Sequence, residues 1–199
     1  AWHQANHDTL TRLPNRSLFA FEAKEAMKAA DLASGALLYV ALDQHVPGSL
    51  GGSTHVLAVA EGLAALGHQV HVATQPAHGL GAEFPAGRVH WHAMGPPLGR
   101  HELRWARTGA VTSLARHVGA QLVMERYYNF GGEGIFAAKR LGLPSVLEVN
   151  APVIDYPGSK KAAFDRWLVV EPMRRWRDRM CREAHLFVTT SASILPPWI

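Results

Sequence analysis

Residues 36–74, ALLYVALDQHVPGSLGGSTHVLAVAEGLAALGHQVHVAT, constrain the fold more than any other stretch. Ala36 to Leu42 is an apolar run of strand length, the kind that a parallel sheet buries on both faces. Asp43 to Gly52 carries Pro47, Gly48, Gly51 and Gly52, a loop through which neither strand nor helix is expected to continue. Ser53 and Thr54 then suit a helix cap. Val56, Val59, Ala60, Leu63 and Leu66 recur at helical spacing, and Gly67 suits the stop. Gln69 to Thr74 returns as a second strand. A strand, a helix and a strand joined this way make a right-handed parallel crossover.

The rest of the chain repeats that alternation. Strands are expected at Arg88 to Met94, Gln121 to Glu125, Ser145 to Asn150 and Leu186 to Thr190. Helices are expected at Leu103 to His117, with Leu103, Ala106, Ala110, Leu114 and Val118 on one apolar side, and at Gly131 to Leu141. Residues 159–183 read as mostly helical with a kink or restart at Pro172. Residues 75–87 and 95–99 are loops rich in Pro and Gly. Such an order predicts a doubly wound parallel α/β sheet.

In order and spacing, Gly51, Gly52, His55, Leu63, Gly67, His68 and Val70 resemble the opening of glycosyltransferase family four, whose enzymes have the two-domain GT-B fold. The resemblance runs over residues 35–199. It implies a Rossmann-like N-terminal domain that holds the acceptor, and a C-terminal domain, expected beyond Ile199, that holds most of the donor. It also implies retaining transfer of sugar from a nucleotide-sugar to a glycan or lipid acceptor. The nucleotide-sugar is a substrate; no cofactor and no metal are expected.

Residues 1–34 stand outside this pattern. His7 to Phe19, HDTLTRLPNRSLF, resembles the opening segment of diguanylate cyclase (GGDEF) domains through Asp8, Leu10, Thr11, Leu13, Pro14, Asn15, Arg16 and Phe19. Phe19 to Ala30 then reads as an amphipathic helix packing on the sheet as an extra element. Asp43 mimics the metal-binding Asp of such domains, but Gly79 to Phe84, GLGAEF, lacks the Gly-Gly-Asp of the later motif. A fragment without cyclase activity is therefore expected.

Composition excludes several classes. The chain has 199 residues, enough for one sizeable domain. It lacks an apolar run near the ~20 residues that span a bilayer. Its single cysteine, Cys181, cannot form an internal disulfide and fits a reducing, cytoplasmic setting. The net charge of +4 does not single out nucleic acid, so none is expected as partner. His90 and His92 alternate on one strand, either as a surface pair or as a metal edge.

Candidate site residues lie where strands end. The Gly48 to Thr54 loop, with Gly51, Gly52, Ser53 and His55, leads into a helix N-terminus whose amides favour an anion; the resemblance places this loop near donor phosphates and acceptor. The plainer reading is a strand-to-helix turn. Glu125, Arg126 and Tyr127 follow the fourth strand. Arg126 suits a phosphate or a structural ion pair, and Tyr127 suits stacking on a sugar. Glu148 and Asn150 share one side of a strand by alternation and suit sugar hydroxyls, whereas Asn150 also suits a plain turn before Pro152. None is assigned as a catalytic base or nucleophile.

The segment Arg166 to Arg182 carries six arginines beside a stripe of Val169, Met173, Trp176 and Met180. It reads as a solvated basic face or, more sharply, as a peripheral contact with the inner membrane surface. The alternative to an enzyme is a non-catalytic ligand-binding or signalling module carrying a cyclase remnant.

Overall fold

A computed structural model describes residues 35–77, 83–127, 129–150 and 170–189. Its strands are β1 (Ala36–Val46), β2 (Gln69–Pro76), β3 (His90–Ala93), β4 (Leu122–Tyr127), β5 (Ser145–Val149) and β6 (Leu186–Thr189). Its α-helices are α1 (Gly51–Ala65), α2 (Thr108–His117), α3 (Glu133–Leu141) and α4 (Glu171–Cys181). The six strands form one sheet in the order β3-β2-β1-β4-β5-β6, with every neighbouring pair parallel. This is the expected doubly wound α/β sheet. The strand order reverses between β1 and β4, so the switch point lies there.

Side-chain alternation along β1 divides the core. Leu37, Tyr39 and Ala41 face α1 and pack with Val56, Val59, Ala60 and Leu63. Leu38, Val40 and Leu42 face the other way, against Val111 and Ala115 of α2 and Ala137 and Ala138 of α3. On α4 the inward line is Arg177 and Cys181. Cys181 joins Tyr127, Ile135, Leu147 and Val149 in a third cluster.

The structure corrects the reading of the first loop. Strand β1 runs on through Asp43 to Val46, with a register shift between Ala41 and His45, and helix α1 starts at Gly51. Ser53 and Thr54 do not cap it: Leu50 is the N-cap, and the Thr54 hydroxyl donates to the Leu50 and Gly51 carbonyls. Leu66, placed on the apolar stripe by sequence, lies past the last turn and is exposed.

The helix expected from Leu103 begins instead as a 3-10 segment, His101–Arg107, before α2. A 3-10 helix turns about 20° more per residue than an α-helix, so the phase drifts by roughly 140° over seven residues. The buried residues are therefore Arg104, Val111, Thr112 and Ala115, and the expected Ala106 and Ala110 are exposed. On α4, Met173, Trp176 and Met180 flank the buried line rather than form it. Pro172 sits in its first turn; residues 159–169, where a preceding helical stretch is expected, lie outside the described residues. The extra helix expected in residues 1–34, residues 79–82 of the Gly79 to Phe84 segment, Arg166 and Val169 lie outside the described residues.

Candidate functional site

Two polar constellations occupy the carboxyl ends of the central strands, on opposite faces of the sheet. The first is on the α1 side. Glu148 of β5 is fully buried, and its Oε2 accepts a hydrogen bond from the Tyr39 hydroxyl of β1. Its Oε1 lies 2.5 Å from His55 Nε2 on α1. The His55 side chain is one-third exposed (33%), so the ring edge reaches solvent while its partner does not. The Asn150 amide approaches the same ring nitrogen at 3.2 Å, and its Oδ1 is buried without a hydrogen-bond partner. An amide turned by half a rotation occupies the same space and gives that oxygen the ring N–H.

Local sequence explains why these groups meet. Tyr39 and Glu148 sit at α1-facing positions of buried strands. Gly51 and His55 are four residues apart and share one face of α1. A Cβ added at Gly51 would meet open space, whereas one at Gly52 would meet the flexible Gln44 side chain at 2.1 Å. Ser53 is buried, and a Cβ at Gly48 would come within 2.6 Å of its hydroxyl. Ser53 thus supports the loop from beneath and is not open to a ligand, contrary to its expected role. Burial raises the Tyr39 hydroxyl well above its ordinary range, and the Glu148 charge adds to this, so Tyr39 stays a donor.

The second constellation lies at the switch point and is closed. Arg104, from the 3-10 segment, is fully buried. Its Nε donates to Glu133 Oε1 at 2.7 Å and its Nη1 to the Phe130 carbonyl at 2.9 Å. Asp43 and Glu125 lie 3.5 and 3.7 Å from the same guanidinium. Glu125 accepts the backbone N–H groups of Gly132, Gly134 and Ile135, with the last two at 2.9 Å, and so caps α3. Burial, reinforced by Glu133, pushes the Glu125 carboxyl up to about 8. Gly132 begins this helix at φ +96°, a left-handed conformation that favours glycine.

These contacts correct two expectations and decide a third. Glu125 does not line an open rim, because its carboxylate is spent on helix amides. Tyr127 is 4% exposed with the Arg177 guanidinium 5.0 Å over its ring, leaving no open face for a sugar. Arg126 donates to Asp43, the ion pair weighed at the sequence level. Sequence reasoning missed Tyr39 and Arg104. The only signal for Tyr39 was a hydroxyl within an aliphatic strand; Arg104 gave none.

Elsewhere, His90 is exposed and His92 bonds to His71 at 3.0 Å. Among the described residues no group of three or more His, Cys, Asp or Glu is arranged to hold a metal ion. Arg174 and Arg177 turn inward onto Asn129, while Arg175, Arg179 and Arg182 are exposed. Among the described residues no helix is long and apolar enough to cross a membrane.

A doubly wound parallel sheet with polar side chains gathered at its strand ends defines a Rossmann-like α/β domain. Residues 50–195 match the family Glycosyltransferase Family 4, and the chain belongs to that family. Residues 1–34 fall outside the match, and no comparison supports their likeness to cyclases. No curated protein gave a significant match.

Two solved structures are distantly similar. MurG of Acinetobacter baumannii has 16% identity and a TM-score of 0.46, covering 82% of this chain and 43% of its own. Sucrose-phosphate synthase from Thermosynechococcus elongatus has 15% identity and a TM-score of 0.48, covering 78% and 47%. The chain thus spans less than half the length of either.

Proposed function

We propose that this glycosyltransferase domain is the acceptor-side half of a retaining enzyme that takes sugar from a nucleotide-sugar, with a separate domain holding most of the donor. The observation that carries the reading is the convergence of His55, Glu148 and Asn150 beside Gly51 at the strand ends. His55 and the Asn150 amide offer hydrogen bonds to acceptor or sugar hydroxyls, and Glu148 holds the imidazole from behind. The open space at Gly51 and the free amides of the α1 N-terminus suit the donor phosphates. In transfer with retention, the acceptor oxygen bonds to the anomeric carbon on the side from which the phosphate leaves. The acceptor proton departs on that phosphate.

The acceptor is a glycan or a lipid, and the donor itself needs no cofactor. The exposed Arg175, Arg179 and Arg182 supply a surface for peripheral contact with an anionic inner membrane face. A cytoplasmic setting matches the nucleotide-sugar donor. No observation favours a signalling module, since Asp43, its nearest approach to a cyclase metal ligand, is engaged by Arg126 and Arg104.

The test is radiolabelled-sugar transfer from a panel of nucleotide-sugars, run with the full-length polypeptide beside residues 1–199. Transfer by the full-length protein alone is expected, because well-formed sites bury ~70–90% of a ligand and one wall cannot. A product of inverted configuration would remove the retaining assignment. Absence of transfer from every donor would remove the enzyme.

A further inference from the structure

We propose that Tyr39 is a positioning residue of the acceptor site, holding the Glu148 carboxylate that in turn fixes the tautomer and rotation of His55. The inference deepens the acceptor-site reading and rests on it. Tyr39 is fully buried in the middle of β1, packed among aliphatic side chains, and its hydroxyl donates to Glu148 Oε2. That bond leaves Oε1 to face His55 Nε2 at 2.5 Å. A carboxylate accepts, so the ring nitrogen facing it carries a proton; in the neutral ring the lone pair is then on Nδ1.

Glu148 is fully buried, and the strand residue paired with it in register on β4, Arg126, donates to Asp43. Removing the Tyr39 hydroxyl leaves a buried carboxylate oxygen without that donor, a costly state that the side chain relieves by rotating. His55 would then lose its fixed acceptor. Burial keeps the Tyr39 proton in place at physiological pH, so the clamp does not titrate with its surroundings. Such indirect restraint is how buried second partners commonly set the orientation of a working imidazole.

Nitrogen-15 NMR of the His55 ring in residues 1–199 tests this without any sugar. The wild-type chain is expected to show the Nε2–H tautomer in about tenfold excess or more, as a charge-assisted bond implies. Tyr39→Phe is expected to give averaged ring-nitrogen shifts from mixed tautomers while the chain remains folded. Unchanged ring shifts in Tyr39→Phe would overturn the inference. Should that variant not fold, the wild-type chain decides. A slowly exchanging Tyr39 hydroxyl proton with a cross-peak to the His55 Nε2–H supports the clamp, and its absence overturns it. His55→Gln, probed with a panel of methyl glycosides by saturation-transfer NMR, addresses the site separately. Undiminished glycoside binding there would remove the acceptor-site reading and leave the tautomer result standing.

Discussion

The two faces of the central strands end in opposite ways. On the side of α2 and α3, Arg104, Glu125 and Glu133 are all fully buried. On the side of α1, a buried Tyr39 and Glu148 lead outward to a His55 that is one-third exposed (33%). A doubly wound sheet has its natural ligand crevice at the switch point between β1 and β4. Here the chain fills that place with its own guanidinium, carried in by the 3-10 segment. Among the described residues, His55 on α1 is a polar group left within reach of a ligand. Charge at a strand end is therefore not evidence of a site; a charged group with an exposed edge and a buried partner is better evidence.

The sharpest way to break this contrast is Arg104→Ala. It strands Glu133, Asp43 and Glu125 without their shared cation, and breaking a buried ion pair costs about 3–5 kcal/mol. Denaturant unfolding is expected to show a loss of that size; a loss under 1 kcal/mol on the order of a surface pair would mean that the cluster is solvated.

Gly134→Ala is expected to come next. An added Cβ would lie 3.0 Å from Glu125 Oε2 and 3.1 Å from Val40, both fully buried, so neither gives way easily. Overpacking of this kind costs about 1–3 kcal/mol, read from the urea midpoint. A neutral or stabilising result would show slack around the helix cap.

The third prediction uses pH to separate the closed cluster from the sheet edge. Glu125, held up to about 8, binds its proton more tightly when folded than when unfolded. Its contribution to stability therefore falls as pH rises from the ordinary carboxylate range through about 8. His71 behaves oppositely. Burial, then His90, His92 and His117, lower it from 6.5 to about 4. Stability from this group rises with pH between about 4 and 6.5 and is complete above that. Between pH 6.5 and 8 only the Glu125 slope is left of the two, on the order of 1 kcal/mol per pH unit at most. Thermal unfolding across pH should show Glu125→Gln flattening the upper window and His71→Gln flattening the lower one. Identical profiles in wild type and both variants would refute the assignments.

The smallest stability effect belongs to the open face. His55→Ala is expected to cost about 1 kcal/mol, the low end for a buried acceptor that loses one donor, because removing the one-third exposed ring lets water reach Glu148 Oε1. Its effect on glycoside binding is expected to be the larger one. A destabilisation comparable to Arg104→Ala would make His55 a structural residue and erase the distinction between the two faces.

The legible part of the molecule is the part written in local pattern. The apolar run Leu37 to Leu42 could only be a buried strand, and the glycine-bounded helix after it could only cross back to a parallel neighbour. Six strands and their order of appearance followed from the same periodicity. The pairing of Glu148 with Asn150 on one strand side also came from alternation, and both reach His55.

What only the tertiary structure decided is which strand-end groups stay open. Glu125 and Glu148 look alike in sequence, each an acid at the end of an apolar strand. One became a helix cap because its odd-even position on β4 aims it at the α3 N-terminus, and the other a support for His55 because β5 aims it at α1. Arg104 entered the core because a 3-10 turn, rather than an α-helical one, set the phase of its segment. Alternation along a strand can be read from the chain. The face that each parity presents, and the element packed upon it, depend on how distant segments stack, and no local pattern carries that information.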